Sequence, residues 1–272
     1  MRAAVWLLAL AGTFTAEVAA APARVASINL CTDALLLELA DPGQIASVTL
    51  LARDPALSVH AARAQTLPVN RGSVEELIEL DPDLILAGAG SATATVALLR
   101  RLGYRVAAID TATSLTDVLR IVREVGGLLG QDARAATLGA SLAELARPVP
   151  ATAPDALIVQ PGGFVPGPDT LGPTLLALAG LRDQAPAFGL AAGGFANIES
   201  LVLRQPAVLV RSADSVQGRA LADDFMRHPA LLAAGQRHGR LRAVAVSDAA
   251  WACGSGALRA AVTDLRSAVN AR

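Results

Sequence analysis

Two segments of the chain repeat one pattern of polar and apolar positions. Residues 73–86 and 197–210 each start with a polar residue, continue with apolar residues at helical spacing, and reach an apolar run of β character after a proline. Serine and asparagine favour the N-cap of a helix, and proline ends a helix. Each copy therefore predicts a helix followed by a strand, and the repetition predicts two similar α/β units.

Short apolar runs alternate with helical patterns on both sides of the repeated segments. Such alternation is typical of mostly parallel sheets, in which the loops that face a ligand follow the carboxyl ends of the strands. Between the two halves, residues 114–147 are helical almost throughout, apart from three glycines at 126, 127 and 130. We expect strands at 24–28, 45–50, 67–69, 105–109, 156–160 and 241–246, and further helices at 33–40, 93–102, 171–179 and 257–269.

The predicted fold class is therefore α/β, with two lobes that contain mostly parallel sheets. One long connector helix is expected to join the lobes, and a ligand cleft is expected between them. We expect an N-terminal lobe at 22–113, a helical connector at 114–150 and a C-terminal lobe at 151–272.

The first 21 residues have the pattern of a cleaved signal peptide. Arg2 precedes an apolar stretch at 3–15, and small residues that fit an A-x-A cleavage signal follow it. The apolar stretch is too short to span a bilayer. We expect cleavage after Ala20 or Ala21 and export of the mature chain; a buried N-terminal helix is the alternative.

Composition excludes several kinds of chemistry. The formal net charge of −1 implies neither a nucleic-acid partner nor an anionic membrane surface. All 23 basic residues are arginine, which excludes a P-loop lysine, a Schiff-base lysine and a lysine general base. Aromatic residues make up only 3% of the chain, so few side chains could form an aromatic wall.

Four segments together resemble a known family. They are RVASINLCTDALLLELA at 24–40, SVEELIELDPDLILAG at 73–88, FVPGPDTL at 164–171 and SDAAWACGSG at 247–256. In order and spacing they are similar to the periplasmic binding proteins of ATP-driven importers for iron chelates, haem and cobalamin. This resemblance implies two α/β lobes joined by a single long helix, best matched by 131–147, with the ligand held between the lobes.

The resemblance also implies the partners and the location. It implies a periplasmic protein that binds a small metal chelate, delivers it to a permease dimer in the inner membrane, and acts as a monomer without enzymatic activity. The protein is expected to carry no cofactor of its own, and the ligand is expected to contain iron or cobalt.

The two repeated helices carry acidic residues to which the resemblance gives a role. In the family, a surface glutamate on each lobe docks onto arginines of the permease, and the matching positions are Glu75 and Glu199. The alternative is local: a carboxylate in the first turn of a helix is favoured by the helix dipole by roughly 0.3 to 1 kcal/mol without any partner.

The resemblance places the ligand site on loops that face the cleft. Arg53 and Arg71 could pair with carboxylates of a chelator or porphyrin, although Arg53 could instead pair with Asp54 on the surface. Trp251 could offer a flat apolar face to a macrocycle or could fill the core. The candidate positions are Asn29, Cys31, Thr32, Leu51, Arg53, Asn70, Arg71, Gln160, Phe164, Phe195, Trp251 and Cys253.

The two cysteines leave three alternatives open. An even number of cysteines in an exported chain suggests a disulfide, but Cys31 and Cys253 belong to opposite lobes, and a bridge needs Cα atoms within about 7 Å. Unpaired packing and contact with a ligand or metal are the other two alternatives.

Four alternative functions are a binder of bare metal ions, a nucleotide-dependent enzyme, a hydrolase and a ligand sensor. A bare zinc or manganese binder would need clustered ligands, whereas the three histidines (His60, His228 and His238) have no metal-ligand spacing. A nucleotide-dependent enzyme is suggested by GAGSAT at 88–93 with Asp110 downstream, but the third glycine of that motif is absent. The chain has no G-x-S-x-G motif for a hydrolase. A ligand sensor with the same fold stays open.

Overall fold

The structure is a computed structural model that describes residues 20–213, 225, 228–231, 233 and 242–270. Residues 1–19 of the predicted signal peptide lie outside the described part. No helix among the described residues is both long enough and apolar enough to cross a membrane.

The first lobe is built on a five-stranded parallel sheet. Its strand order is β3-β2-β1-β4-β5, and the central strands β1 and β4 are buried almost completely, as expected for a parallel sheet covered on both faces. The strands are β1 (Val25–Ser27), β2 (Ile45–Thr49), β3 (Val69–Asn70), β4 (Leu84–Gly88) and β5 (Val106–Ile109). The helices are α1 (Leu30–Leu39), α2 (Ala61–Ala64), α3 (Val74–Leu80) and α4 (Thr93–Arg101).

The second lobe contains a separate four-stranded parallel sheet and a short antiparallel ribbon. The sheet has the order β11-β10-β6-β8, and β7 pairs with β9 in the ribbon. The strands are β6 (Asp155–Val159), β7 (Phe164–Val165), β8 (Arg182–Asp183), β9 (Gly194–Phe195), β10 (Val208–Ser212) and β11 (Arg242–Val246). The helices are α7 (Gly172–Leu178), α8 (Ile198–Arg204), α9 (Asp248–Trp251) and α10 (Ala257–Asn270).

The repeated segments form equivalent elements in the two lobes. Helices α3 and α8 have N-caps at Ser73 and Asn197, and each ends in a left-handed residue, Asp81 (φ 42°) or Gln205 (φ 44°), directly before the proline. The following strands β4 and β10 each pair with two parallel neighbours in their own sheet. The predicted duplication is therefore present, and the two copies lie in separate sheets.

The predicted connector is two helices instead of one. Helix α5 (Leu115–Leu129) ends at Gly130, which adopts φ 71° and caps the helix, and α6 (Asp132–Ala143) starts two residues later. Gly126 and Gly127 do not interrupt α5. A Cβ at Gly126 would overlap the Cβ of Ala135 on α6, so this glycine allows the two helices to approach closely.

One apolar cluster runs between the inner faces of both sheets. We call it the shared core, and it includes Leu36 of α1, Val122 of α5, Leu175 of α7, Trp251 of α9 and Leu258 of α10. The outer face of each sheet has its own smaller cluster, under α3 and α4 in the first lobe and under α8 in the second. The lobes are therefore packed against each other through buried apolar side chains.

A buried carboxylate holds the start of α1 against the end of β2. One oxygen of Asp33 accepts a hydrogen bond from the backbone N–H of Thr49 (3.0 Å), and the other lies 2.5 Å from the Thr49 hydroxyl. Burial raises the pKa of Asp33 from 3.8 to about 6, although the hydrogen bonds from Thr49 and Ser27 act in the opposite direction.

This raised pKa predicts a pH-dependent stability. The folded chain binds the Asp33 proton more tightly than the unfolded chain does, so this group's contribution to the free energy of unfolding falls as the pH rises from about 4 to about 6. Asp33→Asn keeps both contacts with Thr49 but does not titrate. Between pH 4 and pH 7, we expect urea unfolding to show wild type losing about 2 kcal/mol relative to the variant. Parallel pH profiles for the two proteins would contradict this assignment.

Candidate functional site

A cavity of about 160 Å³ lies where the carboxyl ends of β1, β4 and β5 meet a loop of the second lobe. The first sheet grows outward from β1 to β2 and β3 on one side, and from β4 to β5 on the other. The cavity therefore lies where the strand order reverses, which is where open parallel sheets usually bind ligands. Its walls include Asn29, Cys31, Gly88, Ser91, Asp110 and Cys253.

The N-terminus of α1 forms one wall of this cavity. Asn29 is the N-cap, and its Oδ1 accepts hydrogen bonds from the backbone N–H groups of Cys31 (2.9 Å) and Thr32 (3.4 Å). A Cβ at Gly88 would lie 2.7 Å from Nδ2 of Asn29, so only glycine lets this amide lie against the end of β4. The sequence pattern predicts a helix that starts at 33 and a loop that contains Asn29, Cys31 and Thr32, whereas Cys31 and Thr32 belong to the first turn of α1.

The wall formed by the ends of β4 and β5 was absent from the predicted site. The cavity is lined by Gly88, Ala89, Ser91 and Asp110, whose segment resembles only a weak nucleotide motif in the sequence. The rule that ligands bind at the carboxyl ends of parallel strands would have included them, because both strands were predicted.

A disulfide joins the two lobes at the cavity wall. The Sγ atoms of Cys31 and Cys253 are 2.14 Å apart, and their Cα atoms are 4.7 Å apart. Of the three alternatives that the sequence left open, the structure has the disulfide. It connects the first turn of α1 to the loop between α9 and α10.

Two candidate ligand residues are structural. The exposed fraction of Asn70 is 0%, and its Nδ2 donates to the Ser27 carbonyl (2.9 Å) and to the Ser47 hydroxyl (2.8 Å), while its Oδ1 accepts from the N–H of Gly72 (3.0 Å). Thr32 lines the cavity, but it is also buried, and its hydroxyl is hydrogen-bonded to that of Ser27 (2.7 Å). The expectation that Asn70 faces a ligand is corrected, because its side-chain amide makes hydrogen bonds that connect β3 to β1 and β2.

The two candidate arginines make different contacts within the protein. Arg53 donates to the carbonyls of Ala64 (3.2 Å) and Leu67 (2.7 Å), so its guanidinium fixes the turn before β3 and does not pair with Asp54. Arg71 is exposed, and its Nη1 lies 3.5 Å from a carboxylate oxygen of Glu76. The expected pairing of Arg53 with Asp54 is therefore corrected, and contact of Arg53 or Arg71 with a ligand carboxylate stays a prediction.

Trp251 belongs to the shared core. Only 4% of its surface is exposed, because the single turn of α9 directs the side chain inward. The alternative that this tryptophan fills the core is the one that the structure shows, and the expected flat face for a macrocycle is corrected.

Several exposed apolar residues follow the carboxyl ends of β2 and β6, and others lie on α3, α4 and α8. After β2, Leu51 is 51% exposed, and Leu50, Leu57 and Val59 are exposed beside it in sequence. After β6, Gln160 is half-buried. Beyond it, Phe164 packs edge-on against Phe195, with ring centroids 5.5 Å apart and Phe195 71% exposed.

The described histidines form no metal centre. His60 Nε2 lies 2.8 Å from Oε1 of Glu38, whose Oε2 accepts from the backbone N–H of Gly256 in the second lobe (2.8 Å). His228 is exposed, and His238 lies outside the described residues. Among the residues that the structure describes, no group of three or more His, Cys, Asp or Glu side chains could hold a metal ion.

The two candidate docking glutamates are exposed in the first turns of α3 and α8. In α3 the capping role belongs to Glu76, which accepts from the backbone N–H groups of Arg71 (2.8 Å) and Ser73 (3.4 Å). The bond from Arg71 is the main reason that the pKa of Glu76 is lowered. Within the described part of the chain, the structure shows no hydrogen bond or ion pair to the carboxylates of Glu75 and Glu199.

Known proteins share the fold and the family of this chain. The chain has the fold of two-lobed solute-binding proteins, and the model of the family "Periplasmic binding protein" matches residues 25–241, so the chain belongs to this family. The predicted fold class and the resemblance are confirmed.

Two cobalamin-binding proteins from strains of Halobacterium salinarum are each 27% identical over 212 residues. The match covers 74% of this chain but only 57% of each relative, so the chain spans little more than half the length of these relatives.

Solved structures share the fold. The periplasmic haem-binding protein HutB of Vibrio cholerae has a TM-score of 0.73 at 18% identity, over 91% of this chain and 99% of that one. The periplasmic haem-binding protein RhuT of Roseiflexus sp. RS-1 has a TM-score of 0.71 at 22% identity, over 91% and 99%. The vitamin B12-binding protein BtuF of Vibrio cholerae has a TM-score of 0.64 at 13% identity, over 91% and 96%.

The burial of Trp251 predicts a large effect on stability. We expect Trp251→Ala to lower the free energy of unfolding by about 3 to 5 kcal/mol, because it leaves a cavity in the shared core. Urea unfolding measures this loss. The control is Leu203→Ala, at a side chain that is 83% exposed, which should change stability by no more than about 0.5 kcal/mol. Equal effects of the two substitutions would show that the indole does not support the core.

Proposed function

We propose that the protein is the periplasmic solute-binding component of an ATP-driven importer, and that it binds a metal chelate with an apolar face, of the haem or cobalamin class. The observation that carries the proposal is a cavity where the carboxyl ends of β1, β4 and β5 meet residues 252–253 of the second lobe, with exposed apolar side chains after β2 and after β6. Membership of the periplasmic binding protein family and the haem- and cobalamin-binding proteins among its relatives support it.

The size of the cavity suggests how such a ligand is held. A volume of about 160 Å³ is below the roughly 300 to 1,000 Å³ of ordinary small-molecule pockets, so the body of a macrocycle lies outside it. One polar substituent of the ligand enters the cavity, where Asn29, Ser91 and Asp110 offer hydrogen-bonding groups. The ring lies against the exposed apolar residues of the sheet edges.

The proposed chemistry is reversible binding without covalent catalysis. Iron or cobalt belongs to the ligand, and the protein contributes no cofactor of its own. The exposed carboxylates of Glu75 and Glu199 dock onto basic residues of the permease, one from each lobe. Their equivalent positions in α3 and α8, together with the assignment of the α3 cap to Glu76, support this role over local capping.

The first test concerns the ligand class. We expect Phe195→Ala to weaken the binding of haemin or cyanocobalamin about tenfold, because an exposed aromatic face is lost from the edge of the second lobe. Titration calorimetry and absorbance difference spectra measure both ligands. The control is Leu203→Ala, an exposed apolar residue of the same lobe on α8. Failure of wild type to bind either ligand, or equal affinity in wild type and Phe195→Ala, would contradict the proposed ligand class.

The second test concerns docking. We expect Glu75→Arg/Glu199→Arg to lower ligand uptake by cells about tenfold or more, because reversed charges repel the basic permease surface, while ligand affinity stays unchanged. The control, Asp132→Arg/Asp264→Arg, makes the same change in net charge at exposed acids of α6 and α10, outside both repeated helices. Normal uptake with the first pair, or an equal loss with both pairs, would count against docking. Uptake also separates import from ligand sensing.

A further inference from the structure

The disulfide between Cys31 and Cys253 lies in the wall of the cavity and joins the two lobes. We propose that it is a redox-sensitive latch: the oxidised form holds the cavity in its binding shape, and reduction loosens the wall formed by 252–253 and weakens ligand retention. Its effect on the ligand rests on the proposed function, because the cavity is the site that the ligand enters. Its effect on the cavity wall does not depend on the proposed function.

The neighbours of Cys253 confine the effect of reduction to a short segment. On one side, Trp251 is buried in the shared core. On the other side, a Cβ at Gly254 would lie 2.9 Å from Cγ2 of Val118, and the N–H of Gly256 donates to Glu38 (2.8 Å). Ala252, between Trp251 and Cys253, is exposed. Reduction is therefore expected to change the cavity wall without separating the lobes.

Breaking the bond must reshape this wall. Bonded sulfur atoms are about 2.0 Å apart. Heavy atoms that are not bonded rest about 3.5 to 4 Å apart. Two unbonded thiols occupy more space than a bonded pair, and here both lie in the wall of a cavity of only about 160 Å³. The exposed side of the wall at Ala252 is the direction in which least packing resists a separation of the two sulfur atoms.

The position of Cys31 favours reduction by a dithiol protein of the thioredoxin class. A thiolate of the reductant attacks Sγ of Cys253, the S–S bond breaks, and its electron pair leaves with Sγ of Cys31. Cys31 lies in the first turn of α1, where the positive end of the helix stabilises a thiolate. The second thiol of the reductant then attacks its own mixed disulfide, which releases Cys253. The protein ends with two thiols and the reductant with one disulfide, so the two electrons balance.

A stabilising disulfide without a latch function makes a different prediction. A cross-link between residues 222 apart in sequence restricts the unfolded chain, so its loss lowers the stability of the whole fold. All amides that exchange through global unfolding would then be affected. A latch instead raises exchange only beside the cavity.

Hydrogen exchange separates these alternatives without any ligand. With dithiothreitol as the reductant, we expect amide exchange to rise about tenfold in peptides that cover 30–36 and 252–258, and to stay unchanged in α4. The matched variant Cys31→Ser/Cys253→Ser should exchange like the reduced wild type and should not respond to dithiothreitol. Unchanged exchange at the cavity, or an equal rise in α4, would overturn the latch.

Ligand binding tests the consequence. Haemin and cyanocobalamin are titrated into oxidised wild type and into Cys31→Ser/Cys253→Ser, so that no reductant meets the metal. We expect the variant to bind about tenfold more weakly than wild type, through faster dissociation. Equal affinity would overturn the effect of the latch on the ligand. If neither compound binds to either protein, the proposed ligand class fails, and the exchange experiment still decides whether the latch exists.

Discussion

The shared core is the constraint on which the rest of the structure depends. Helices α1, α5, α7 and α10 bury their apolar faces between the two sheets, so neither lobe could move far away without exposing large side chains such as Trp251 to water. The disulfide and the contact between Glu38 and Gly256 are added to this packing at one side. The first sheet and the loop at 252–256 of the second lobe are therefore held together before any ligand arrives, which favours a preformed site over a widely opening hinge.

The duplication explains why the outer helices are available to a partner. Each lobe uses its inner face for the shared core, and the helix of the repeated segment covers the outer face, where Leu77 and Leu201 anchor α3 and α8 to their own sheets. The opposite sides of these short helices stay in solvent with Glu75 and Glu199. A partner that recognises both lobes could therefore bind α3 and α8 in the same way, because each helix presents a glutamate in its first turn.

Local patterns in the sequence predicted the features that depend on interactions within a few residues, such as helix caps and helix ends. The caps at Ser73 and Asn197, the prolines that follow both helices and the alternation of strands and helices all act within a few residues, so the fold class could be read from them. Tertiary packing decided the rest. Gly126 permits a helix contact and does not break α5, and Asn70 and Trp251 became buried because distant segments close over them. No local signal distinguishes a polar or aromatic residue in a cleft from the same residue in a core.

The internal use of the polar candidates determines what the site can offer a ligand. Asn70 and Thr32 complete a buried network, so these groups are already hydrogen-bonded without a ligand, and part of the Arg53 guanidinium is bound to backbone carbonyls. The apolar side chains exposed at the sheet edges include Leu51 and Phe195, of which Phe195 is 71% exposed. Under the proposed function, affinity then comes mainly from covering apolar surface, and selectivity comes from the one substituent that fits the small cavity behind the disulfide. A highly charged, wholly polar chelate would gain little affinity from the apolar surface. The small cavity could not pair all of its charged groups.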